Sequence, residues 1–120
     1  MANQKKPTVP GKKREPPESL PTAVSFDLGG SRASHEDVYY KLKDILLSQG
    51  DYRIISLQYI ATSYRWIGVL DSRTARDRIA GSGLEINGRQ VMLRRYDDIM
   101  LRDYRKYLRA NGFIDIQTFT

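Results

Sequence analysis

Two runs rich in β-branched and aromatic residues, YRIISLQYIA at 52–61 and YRWIGVL at 64–70, are separated by only Thr62-Ser63. Residues of this kind favour a pleated strand. A two-residue connection is too short for a crossover, so the runs must form an antiparallel hairpin. A lone hairpin is marginal in water, and the rest of the chain has to supply further strands and a cover for one apolar face.

The flanking sequence does so. Residues 22–28 alternate, with Val24, Phe26 and Leu28 on one side and Ala23, Ser25 and Asp27 on the other, and Gly29-Gly30-Ser31 breaks the run. Ser34 caps a helix whose first turn carries Glu36 and Asp37. Val38, Leu42, Ile45 and Leu46 give it one apolar face, and Gly50 ends it. Ser72 opens a second helix through about residue 80, with Ala75 and Ile79 inward. An Asn87-Gly88 turn follows. Residues 90–95 alternate again, with Val91 and Leu93 inward and Met92 and Arg94 on the opposite, open side. Residues 98–111 read as a last helix, with Leu101, Tyr104 and Leu108 on one face. The order β-α-β-β-α-β plus a C-terminal helix predicts an α+β, ferredoxin-like fold, with a four-stranded antiparallel sheet and helices on one face. The expected divisions are a disordered basic, proline-rich tail at 1–21, a domain at 22–96, a helix at 97–113 and a tail at 114–120. The ending IDIQTFT reads as an interrupted strand, as in a piece of a longer parent.

Composition narrows the function. There are no cysteines, so disulfides and thiolate metal sites are excluded from this sequence. No run approaches the length of a membrane span, and the start of the chain lacks the apolar stretch of a signal peptide, so an intracellular, nuclear or cytoplasmic protein is expected. Lys and Arg number 20 against 14 Asp and Glu, giving a net charge of +6. Positive charge attracts polyanions and is a weak signal taken alone. His35 is the one histidine and has no partner set for a metal, and no cofactor-binding motif occurs. No serine–histidine–carboxylate set suggests catalysis either. All five prolines lie in the first 21 residues, with Lys5, Lys6, Lys12, Lys13 and Arg14. This segment reads as a phosphate-binding arm or localisation signal, or as a plain solvated linker.

From residue 22 to 96 the sequence resembles a degenerate RNA-recognition motif (RRM). Its ribonucleoprotein octapeptide aligns on Thr62-Ser63-Tyr64-Arg65-Trp66-Ile67-Gly68-Val69. The resemblance places Tyr64 and Trp66 on the two base-stacking positions of the open sheet face, with Ile67 and Val69 buried. Ala75 and the Ile86–Leu93 pattern fit the same register. The family's usual leading basic-glycine pair is Thr62-Ser63 here, and its strand-one aromatic is Ser25, kept on the open face. A looser similarity runs to RRM-like domains of retrotransposon gag-like proteins. The resemblance implies a module for single-stranded RNA, or DNA, with Tyr64, Trp66, Ser25, Met92, Arg89 and Arg94 as the contact set. Arg102, Arg105, Lys106 and Arg109 of the last helix, with Lys12, Lys13 and Arg14, would be auxiliary cations. The alternative is a protein-interaction or oligomerisation domain, using the sheet or the last helix, in which the two rings pack beneath that helix. Tyr59 reads equally as core or open face. Acylphosphatases share the fold plan, but YRIISLQYIA lacks the asparagine they need on strand two, so no enzymatic activity is expected.

Overall fold

A computed structural model describes residues 15–113. The main compact unit runs from Ser19 to Ile99. A second comprises the described residues 15–18 and those from Met100 onward. The elements in chain order are β1 (Ala23–Asp27), α1 (His35–Gln49), β2 (Ile54–Ile60), β3 (Arg65–Leu70), α2 (Arg73–Ile79), β4 (Gly83–Ile86), β5 (Arg89–Met92), β6 (Arg94–Arg95) and α3 (Tyr96–Ala110). The fold is α+β, with an antiparallel four-stranded sheet in the order β2-β3-β1-β6 and a separate β4–β5 hairpin.

Both capping serines act as their position suggests. Ser34 Oγ accepts from Asp37 N at 3.0 Å and Ser72 Oγ from Ala75 N at 3.0 Å, satisfying amides that a helix start leaves open. Val38, Leu42 and Leu46 of α1 and Ala75 and Ile79 of α2 are buried. They share one core with Val24, Phe26 and Leu28, and with Trp66 and Leu70. Gly68 lies opposite Val24, and a Cβ there would meet Leu42 Cδ2 at 2.9 Å, so its lack of a side chain lets α1 sit close to β3.

The reading of 90–95 as one strand is corrected. Asn87 and Gly88 both have positive φ, closing a tight hairpin that commits Arg89–Met92 to β4. Leu93 then leaves the ladder. Its N–H donates to Ser82 O at 2.9 Å and its carbonyl accepts from Gly81 N at 2.7 Å, which buries its side chain completely. The chain re-enters a sheet only at β6, beside β1.

Asp77 on α2 ties β6 down. It accepts from Arg76 Nε at 2.9 Å and lies 3.1 Å from Arg95 Nη2. Asp97 accepts from Ser19 Oγ and Leu20 N, both at 2.7 Å, and holds the approach to β1.

Two outcomes follow. Gly68→Val should destabilise the domain by about 1–3 kcal/mol in denaturant unfolding, through overpacking against Leu42. The hydrogen bond from Arg76, then the charges of Arg76, Arg95 and Arg73, hold the Asp77 carboxyl below its ordinary range. A depressed folded-state pKa gives stability that is present above the unfolded value and fades as pH falls through the folded one. Wild type should therefore exceed Asp77→Asn in stability at neutral pH, and the gap should close in acid below the ordinary carboxylate range.

Candidate nucleic-acid interface

The sheet register assigns the two faces. Trp66 pairs with Phe26 on β1 and with Tyr59 on β2, and residues opposite one another in an antiparallel ladder share a face. Phe26 belongs to the core, so Trp66 does too. Its ring runs nearly parallel to Phe26, 9° between planes at 6.5 Å. It also meets Tyr59 at 4.9 Å and the edge of His35 at 4.8 Å. Trp66 is 2% exposed. The expected placement of Trp66 on an open face, with Ile67 and Val69 buried, is thus reversed. Ile67 and Val69 lie on the opposite side and are half-buried.

Tyr64 does not share the strand's alternation. It occupies the turn before β3 at φ 57°, a left-handed conformation that a bulky side chain rarely adopts. Its ring is half-exposed and lies beside Gly30, 3.7 Å from where a Cβ would stand. Ser25, expected on the open face, is fully buried, and its hydroxyl donates to the Trp66 carbonyl at 2.8 Å. That bond satisfies a polar group with no access to water. Met92 is exposed on the β4–β5 hairpin and not on the four-stranded sheet. Arg94 pairs with Ser25 and so lies on the face away from α1 and α2, together with Arg65, Ile67 and Val69 of β3 and Ser56, Gln58 and Ile60 of β2. Among the described residues of these strands, no aromatic ring occupies that face.

The aromatic residues gather elsewhere, around a cleft of about 460 Å³ between the β1–α1 loop and the β2–β3 hairpin. Gly30, Ser31, Arg32 and Ser34 form one wall, Tyr59 and Trp66 the other, and Asp37 also lines it. Gly29 and Gly30 both have positive φ, so the loop turns back over the sheet end where residues with side chains would be strained. The Arg89 guanidinium lies directly on Gly29, in the space a Cβ would take. Asn87 Nδ2 donates to Arg32 O at 2.5 Å, and Asp27 Oδ1 accepts from Gly29 N at 2.5 Å, fixing the loop from both sides. Tyr64 borders the same loop at Gly30. Among the described residues, neither Arg32 nor Arg89 has an ion-pair partner.

Of the expected contact set, the structure therefore brings Tyr64, Trp66 and Arg89 to one end of the sheet, and leaves Ser25, Met92 and Arg94 away from it. Arg32, Tyr59 and the Gly29-Gly30 turn are site residues the expected set lacked. On α3, Arg102 is exposed and 3.8 Å from Asp103, Arg105 is half-buried, and Lys106 and Arg109 are exposed. Lys12, Lys13 and Arg14 lie outside the described residues.

No family model matches the chain, and no curated protein sequence does. Among solved structures it is similar to RNA Editing TUTase 1 from Trypanosoma brucei, at 22% identity over 66% of this chain and 17% of that one, with a TM-score of 0.46. The same enzyme in complex with the UTP analog UMPNPP gives 18% identity over the same shares, with a TM-score of 0.43. The chain thus spans about a sixth of the proteins it is similar to. Among the described residues, no helix is long and apolar enough to cross a membrane.

The two rings should separate by mutation. Trp66→Ala should cost about 3–5 kcal/mol of stability, as for a large buried aromatic. Tyr64→Gly should leave stability unchanged or raise it by about 1 kcal/mol, since glycine removes the left-handed penalty. Chemical denaturation of both variants checks this.

Proposed function

We propose that the chain is a ferredoxin-like domain of RRM type that binds single-stranded RNA, and that it does so at the β1–α1 cleft and not across the sheet face. The observation that carries the reading is the convergence on the β1–α1 loop of two solvent-accessible rings and two guanidiniums. Tyr59 and Arg32 line the cleft, while Tyr64 and Arg89 lie against the loop at Gly30 and Gly29, and neither arginine has an ion-pair partner among the described residues. A base stacked on an aromatic ring gains about 1–3 kcal/mol and needs no particular sequence. A guanidinium beside it offers a planar fork for a phosphate. Trp66 forms the floor against which Tyr59 is held.

Charge sets the orientation of the ligand. Asp37 and Asp27 are anionic and sit toward α1 and the end of β1, so phosphates belong on the Arg32–Arg89 side, with bases toward the tyrosines. Tyr64 adds a further reason. Residues held in left-handed geometry against their steric preference gather at functional sites, and here the strained turn presents an aromatic ring. The reading includes no catalytic step and no cofactor.

A second reading, a protein-interaction domain, is favoured by one feature: the face away from α1 and α2 carries Ile60, Ile67 and Val69 in place of rings. The same titration separates the two. Binding of a short single-stranded RNA, followed by anisotropy over a salt series, should weaken about 10-fold or more in Tyr64→Ala and in Tyr59→Ala. Arg32→Ala/Arg89→Ala should reduce the slope of log K against log salt by about 1.4, the share of two phosphates on a single strand. Ile67→Ala and Arg94→Ala should bind as wild type does. Loss of binding in that last pair with none in the cleft variants would return the site to the sheet face, and no binding to RNA or DNA at low salt would leave the second reading.

A further inference from the structure

We infer that the free edge of β2 is a self-association strand, pairing antiparallel with β2 of a second copy of this chain. Among the described residues the sheet order leaves β2 at an edge, bonded only to β3. An exposed edge is a template for another strand, and proteins usually blunt it with lysine, proline or inward-pointing charge. In a chain that is 28% charged, Ile54–Ile60 reads IISLQYI, with no charged residue and no proline. Five of its seven residues are exposed, Ile55 by 60%.

The occupant follows from charge and symmetry. At +6 the chain repels its own copies, so any contact between copies must avoid the cationic surface. The uncharged β2 edge meets that requirement. A two-fold axis normal to the sheet also preserves its faces, so residues that pair must have the same alternation. With the axis at Gln58, Leu57 falls opposite Tyr59 of the other copy, both on the helix side. Ser56 falls opposite Ile60, both on the far side. Gln58 faces itself, where two amides hydrogen-bond as donor and acceptor. The bulge between Ile54 and Ser56 shifts the register of β2, so the regular stretch available for pairing is Ser56–Ile60. Tyr59 also lines the cleft, and the pairing engages its backbone at the strand edge whatever the cleft holds.

Gln58 is exposed and central, so it gives a reversible test. In Gln58→Lys two ammonium groups meet across the axis, and in Gln58→Glu two carboxylates do. Like charges directly opposite disfavour a strand pair. Sedimentation of the whole chain without nucleic acid, from micromolar to millimolar, should show a monomer–dimer equilibrium for wild type. Each variant should weaken it about tenfold, and an equimolar mixture of the two should restore the dimer. Circular dichroism confirms that both variants fold. A wild type that stays monomeric throughout, variants that dimerise as wild type does, or a mixture that remains monomeric would each overturn the proposal.

Discussion

The contact on which the rest depends is the alignment of Phe26, Trp66 and Tyr59 across three adjacent strands. Each ring is held on the helix side because its neighbour is. In the same sheet Gly68, two residues on from Trp66, leaves room for Leu42 beneath α1. A strand's side chains have a period of two, so fixing one of them fixes all. Once Trp66 is inward, Ile67 and Val69 must be outward, and among the described residues of the four strands no ring is left on the far face to offer a base.

The cleft end of the sheet is shaped by backbone chemistry more than by side-chain bulk. The Gly29-Gly30 turn lets the β1–α1 connection fold back, and the side chains of Asp27 and Asn87 bind its backbone. The Asn87-Gly88 turn does two jobs. It closes the β4–β5 hairpin, and it places Arg89 on Gly29. A guanidinium thus reaches the β1–α1 loop at Gly29 from an element some sixty residues away in sequence.

Much of the fold was legible in the sequence because local and global signals agreed. Ser34 and Ser72 cap the helices they open, and Val38, Leu42 and Leu46 form the buried stripe their spacing describes. The phase of β3 was not legible by alternation, because both of its parities are apolar: Trp66 and Leu70 on one side, Ile67 and Val69 on the other. The octapeptide alignment chose between them and chose the wrong side. The opposing residues were the available signal, since pairing Trp66 with Phe26, already read as core, would have turned it inward. Tyr64 was read as a strand residue because nothing in its identity announces a left-handed turn. The split at Leu93 was hidden because its amide and carbonyl are taken by Ser82 and Gly81, a tertiary bond with no sequence pattern. Arg32 was absent from the expected contact set, because its place in the cleft depends on how the loop folds back opposite Tyr59.

The cleft and the far sheet face differ in which residues a bound RNA would touch. The most direct measurement is the change in backbone amide and Trp66 indole NMR shifts as a short single-stranded RNA is added to the labelled chain. With the ligand in the cleft, the largest changes fall on residues 29–34, Tyr59, Tyr64, Arg89 and the Trp66 indole, with Gln58, Ile67 and Arg94 little moved. Changes centred on Gln58, Ile67 and Arg94, with the 29–34 loop silent, would contradict it.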